Sequence, residues 1–229
     1  MIVPNYVPEP LEVPGNVTEE PYSFRVTYIR RVSLLHLGGV GAVAVLAQNL
    51  WPTTGLVTAA LYLAGMLLLL DVWRIYARAA RVEAIVSAAC LPTVLLLSAW
   101  VASEASRAGW PVWSPLVGVG AAALYTVLCG RDYSFVGCFL LSLITSSVGI
   151  AAIAVNLGLD AKGAGLALLL NGVYLFYFQY DLASLLSRRR RGEECAAVVD
   201  LYRDVFNVFG YLVRCVRHWR KHRIWEIAR

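Results

Sequence analysis

The stretch AAVVDLYRDVFNVFGYLVRCV, residues 196–216, decides how the rest of the chain is read. It is long enough for a helix to cross about 30 Å of hydrocarbon. Yet it carries Asp200, Asp204, Asn207, Tyr211 and Arg214, which follow one another at intervals of three or four residues. On a helix that spacing draws a single polar stripe. An ionised side chain at a bilayer centre costs about 2.5 to 3.5 kcal/mol, so the stripe is expected to face a bundle or a wet cavity rather than lipid.

Working outward, six more apolar runs precede this one, near 32–50, 55–73, 82–102, 112–129, 135–155 and 164–186. Hydrophobic residues make up 59% of the 229, and charged residues only 15%. Soluble domains carry about 25% charge, so the composition points to a polytopic membrane protein in which spans and short links use nearly the whole chain. The first run is rich in small residues (Gly38, Gly39, Gly41, Ala42, Ala44) that let helices approach closely. His36 within it reads as a packed, neutral side chain. Pro92 marks a kink in the third run, and Ser142, Thr145, Ser146 and Ser147 in the fifth can bond across helices. Cys90, Cys129, Cys138, Cys195 and Cys215 have no close pairing and read as small buried hydrophobes.

The ends differ from the middle. Residues 1–24 hold Pro4, Pro8, Pro10, Pro14 and Pro21 among Glu9, Glu12, Glu19 and Glu20, and are expected to form a disordered acidic tail. Asn16-Val17-Thr18 fits a glycosylation acceptor only if that tail reaches a lumen. Residues 217–229 form a basic tail with Trp219 and Trp225 that can bind anionic lipid. With the N-terminus in the cytosol, Arg25, Arg30, Arg31, Arg74, Arg78, Arg81, Arg131 and Arg188 to Arg191 fall on the cytosolic side, against Arg107 and Lys162 on the other. Seven full crossings put the basic tail on the far side; a seventh segment that dips and returns keeps it in the cytosol, and the sequence allows either. The net charge of +5 reflects this topology, since the cations flank spans instead of gathering on a face with interleaved aromatics; no nucleic-acid partner is expected. Three scattered His residues leave little for a zinc hydrolase, and Glu193-Glu194 reads as a solvated loop, so an enzyme is not expected.

Three segments then line up with a known family. Arg131-Asp132-Tyr133-Ser134-Phe135-Val136-Gly137 opens the fifth run, Tyr177-Phe178-Gln179-Tyr180-Asp181-Leu182 closes the sixth, and Leu201-Tyr202-Arg203-Asp204-Val205-Phe206-Asn207-Val208-Phe209 lies in the seventh. In order and spacing, over about residues 26 to 216, they resemble the transmembrane Bax inhibitor-1 motif family, which has bacterial, eukaryotic and distant viral members. The resemblance implies an all-α, seven-helix bundle with the last helix central, and a pH-sensitive calcium leak in the endoplasmic reticulum or another intracellular membrane. It implies a viroporin-like role in apoptosis regulation, with apoptosis or trafficking proteins and membrane lipids as partners and Ca²⁺ as permeant ion, without a bound cofactor. The family's aspartate pair falls on Asp181 and Asp204, which would hold Ca²⁺ transiently. The arginine that engages the pair falls on Arg74, with Arg78 as the other choice. Arg203 stands where the family has an apolar residue, and Asp200 adds a third acid.

The residues themselves allow the same chemistry. Two carboxylates meeting in a low-dielectric bundle cannot both ionise cheaply, so one holds a proton that its surroundings can release. Ionised, they offer the hard oxygen ligands that Ca²⁺ takes. Asp181, Asp204, Asp200 and Asn207 are therefore the candidate ion and proton residues, and Arg74, Arg203 and Arg214 the candidate gating cations. The alternative is that these charges only neutralise one another and lock the seventh helix in place, in which case the protein acts as a membrane adaptor.

Overall fold

A computed structural model of the chain describes residues 13–48, 51–79 and 82–205, leaving aside the side chains of Asp71, Arg74, Ile75, Arg78, Ala79 and Val205. Every extended element in it is helical: α1 (Tyr22–Leu46), α2 (Leu56–Ala79), α3 (Glu83–Arg107), α4 (Ser114–Leu128), α5 (Phe135–Asn156), α6 (Ala161–Arg188) and α7 (Glu194–Val205). Among the described residues, α1, α3, α5 and α6 are long and apolar enough to cross a membrane, and Leu56–Leu70 and Ser114–Leu128 are shorter apolar helices. The chain is an α-helical membrane protein; four of the seven expected spans meet the length and composition of a crossing among the described residues, and the seventh run continues past residue 205, outside them.

Helix α5 shows why the bundle packs as it does. Its buried face is Cys138, Ser142, Ser146, Ile150 and Ala154, one residue every four, while Leu141, Ile144, Val148 and Val155 point outward and are exposed. Small and polar inside, large and apolar outside, inverts the pattern of a soluble helix and suits a lipid surround. Ser134 begins α5 by accepting from the Gly137 amide at 3.2 Å, and Asp160 begins α6 in the same way at Gly163, 2.7 Å. Helix α4 packs on α1, α5 and α6; α2 lies against α3; and α7 contacts α1, α3 and α6. Ala196, Ala197, Val198, Val199 and Leu201 of α7 are at most 1% exposed, so this short helix is enclosed on all sides.

Polar contacts between helices are few. Asn171 of α6 donates to Ser146 of α5 at 2.9 Å, whereas Thr145 bonds its own helix at the Leu141 carbonyl. Gln179 receives the Tyr133 hydroxyl and donates to Cys138 at 3.0 Å. Burial raises the Tyr133 phenol, which lies in the α4–α5 link, well above its ordinary range. His36 is fully buried, as a packed side chain should be, stacked on Phe178 with ring centres 5.0 Å apart and bonded to the Tyr174 hydroxyl at 2.9 Å.

The N-terminal segment departs from the sequence expectation of disorder through residue 24. Helix α1 already starts at Tyr22, and Val13 to Glu20 forms an ordered strap with a 3-10 turn at Val17–Glu19. The physical reason is long-range: Val13 and Val17 donate to the Ser187 and Arg189 carbonyls at 3.1 and 2.9 Å, and the Val17 side chain is 0% exposed. Composition cannot report such pairing. Asn16 is spent on the turn, accepting from the Thr18 amide at 2.8 Å and donating to Glu19 at 3.2 Å, and is only 5% exposed. Its amide thus holds the turn together. Residues 1–12 and the basic tail 217–229 lie outside the described residues.

The glycines of α1 test this packing. A Cβ at Gly39 would stand 2.6 Å from the Tyr202 hydroxyl and 3.3 Å from Leu95, whereas one at Gly38 or Gly41 meets nothing within 4 Å. Gly39→Ala is expected to destabilise the bundle by about 1–3 kcal/mol through overpacking. Gly41→Ala is expected to stabilise it by about 0.5–1 kcal/mol through helix propensity. Unfolding midpoints in mixed micelles measure both.

Candidate functional site

The end of α6 builds the site. Asp181, Ser184 and Arg188 recur at helical spacing and share one face. Ser184 donates to Asp181 at 3.1 Å, and Arg188 reaches back with one amino group to Asp181, 2.5 Å, and Ser184, 2.6 Å. Its other amino group crosses to Asp204 of α7 at 3.1 Å. One guanidinium therefore joins the two aspartates singled out by motif, one on each helix.

The next residue does something different because the helix stops. Arg189 caps α6 in an extended conformation, φ −123°, ψ 148°, which sends its side chain away from that of Arg188. It donates to Asp200 at 2.6 Å and to Glu83 at the start of α3 at 2.8 Å, and lies 3.8 Å from Glu193. Gly192, with φ 84°, then turns the chain into α7. Arg203 ties the two halves together, 2.8 Å from Asp204 and 3.3 Å from Asp200. At the rim, Arg31 of α1 pairs with Glu194 at 3.4 Å.

The result is one connected cluster in which Asp181, Asp204, Asp200, Glu83 and Glu193 face Arg188, Arg189 and Arg203. Among the described residues it gathers five acids and three guanidinium groups. Asp181, Asp200 and Asp204 are 0%, 1% and 2% exposed and Arg189 is 3% exposed, so the charges sit where water screens them little. Such a cluster can hold a proton, exchange one cation for another, or fix three helices against each other.

No protein-family model, curated protein or solved structure matches the chain.

Of the residues the sequence singled out, Asp181, Asp200, Asp204 and Arg203 come together here. Asn207, Tyr211 and Arg214 lie outside the described residues, as does the side chain of Arg74. Among the described residues the cation that bridges Asp181 and Asp204 is Arg188, from the same helix as Asp181. Sequence reasoning passed over Arg188 and Arg189 because they open a run of four arginines that also fits a topology signal. The available clue was the seven-residue step from Asp181 to Arg188, two turns along one face. Glu193 and Glu194, expected to be solvated, are paired, Glu193 also accepting from the Arg190 amide at 3.0 Å. Among the described residues no group of three or more His, Cys, Asp or Glu is arranged to hold a metal ion, and Asp181 and Asp204 face a guanidinium in the position where a transient Ca²⁺ was expected.

The cluster's halves differ in how much they hold. Arg189→Ala removes the buried cation that Glu83 and Asp200 share and is expected to destabilise the bundle by about 3–5 kcal/mol. Arg31→Ala removes an exposed pair and is expected to change stability by less than about 1 kcal/mol. Equilibrium unfolding of the two variants in mixed micelles compares them directly.

Proposed function

We propose that the protein is a pH-modulated cation leak, chiefly for Ca²⁺, in an intracellular membrane, with its N-terminus in the cytosol. Through store content it influences cell death or stress responses, as the resemblance to the transmembrane Bax inhibitor-1 motif family implies. The observation that carries the reading is the buried charge cluster at the junction of α3, α6 and α7, with Arg188 bridging Asp181 and Asp204. The bridge clamps α6 to α7 while both carboxylates are ionised. As pH falls, a proton on either one removes half of the bridge, so the clamp is present at higher pH and lost at lower pH. Loosening it lets α7 shift and opens the carboxylate oxygens to a hard cation.

A membrane adaptor that conducts nothing is the second reading, favoured by Arg203, which places a further cation against Asp200 and Asp204. Removing residues 1–12, which leaves the strap in place, separates the two. Loss of the cellular phenotype with intact flux supports the adaptor.

Vesicles loaded with a calcium dye test the leak. Wild-type protein is expected to pass Ca²⁺ severalfold faster as pH is lowered through the ordinary carboxylate range, from about 5 to about 3, and Asp204→Asn to lose that response. Wild-type flux equal to that of empty vesicles removes the proposal.

A further inference from the structure

Residues 187–190, which carry Arg188 and Arg189, are held from two sides. Helix α6 holds one. The other is the strap: Val13 donates to the Ser187 carbonyl, Val17 to the Arg189 carbonyl, and the Arg190 side chain donates to the Pro14 carbonyl at 3.1 Å. Asn16 and Arg190 form an antiparallel bridge. Arg191 continues the contact by lying over the Phe24 ring, 5.0 Å from its centre, at the start of α1.

The strap is thus bonded to the backbone whose side chains run the charge cluster. Its own hold is slight. Only Asn16 and Val17 are buried in it, while Pro14, Gly15 and Glu19 are exposed, and a short segment with one buried apolar side chain opens far more readily than a packed helix. Arg189 depends on it most. Its backbone carbonyl receives the Val17 amide, and its extended conformation, which aims the guanidinium at Glu83 and Asp200, is the one that lets it pair with the strap.

We propose that the Val13–Glu20 strap is a removable catch on the charge cluster: seated, it fixes the 187–190 backbone and with it Arg189, and withdrawn, it frees the α6–α7 linker. Anything that binds residues 1–12 acts on the catch, since those residues run directly into it. The opening of a leak by this catch rests on the functional reading above; the effect on the linker does not.

Two variants and two readouts separate these points. Val17→Asp drives a charge into the strap's buried position and unseats it. Asn16→Cys with Arg190→Cys, in a chain whose five native cysteines are replaced, allows a disulfide to lock it, because bridged residues of antiparallel strands stand close enough for one. Hydrogen exchange of the 187–193 amides is expected to rise about tenfold or more in Val17→Asp and to fall when the cross-link is oxidised, with α5 amides unchanged. Equal linker exchange in wild-type, Val17→Asp and cross-linked protein overturns the proposal. Calcium flux from the same three preparations is expected to be highest for Val17→Asp and lowest for the cross-linked form. Linker exchange that responds without any flux retires the leak and keeps the catch; flux without a linker response does the opposite.

Discussion

Burying Asp181, Asp200 and Asp204 almost completely is the constraint around which this bundle is built. A lone carboxylate in such surroundings is driven to its neutral form, and keeping it charged requires a cation held at hydrogen-bond distance. Two consecutive arginines meet that need in opposite directions. Arg188 is the last helical residue of α6 and turns back along it, whereas Arg189 is already extended and turns toward α3 and α7. Moving the helix end by one residue would rotate both side chains away from the acids they now meet on two neighbouring helices. The stop of α6 at this position, fixed by the strap on one side and the Gly192 turn on the other, therefore matters as much as the charges.

Between α5 and α6 the bonded polar groups are neutral. Tyr133, Gln179 and Cys138 form one hydrogen-bonded row and Ser146 and Asn171 a second, both between α5 and α6 or the link beside them. Neutral partners of this kind orient helices without answering to protons or salt. The charged cluster lies instead between α6, α7 and α3, with α1 at its rim. One face of α6 is thus a fixed seam and another an adjustable one. His36, held between Phe178, Tyr174 and Tyr202, adds a layer of stacked rings between α1, α6 and α7.

Much of this was legible in the residues. Apolar runs located α5 and α6 to within a few positions at both ends, since hydropathy over about 20 residues is what a bilayer selects. The four-residue step from Asp200 to Asp204 correctly put both on an inward face of α7, because no other face tolerates them. What could not be read was non-local. Val17 pairs with Arg189 across most of the chain, against a local composition that favours disorder. Helix α1 begins ahead of its apolar run because Arg30 donates to the Thr126 carbonyl at 3.0 Å and Arg25 lies over Tyr22, contacts that accommodate charge at a helix start. Arg188 and Arg189 were hidden for another reason. A run of arginines after a span satisfies a topology rule whatever its side chains touch, and only the helix phase linking Arg188 to Asp181 distinguishes a partner from a flag.

The exposures of the three arginines order how the cluster comes apart. Arg203, with its side chain 26% exposed, has the shortest route to water; Arg188 follows at 17%, and Arg189, at 3%, is last. Arg203 holds the Oδ1 atoms of both Asp200 and Asp204, while Arg189 and Arg188 hold the corresponding Oδ2 atoms. Arg203 is thus the outermost of the three and spans two aspartates one helical turn apart on the same face of α7. On the leak reading, Arg203 is then the first cation to meet water when the Arg188 bridge loosens, and Arg189, the most buried, is the last to let go of α7.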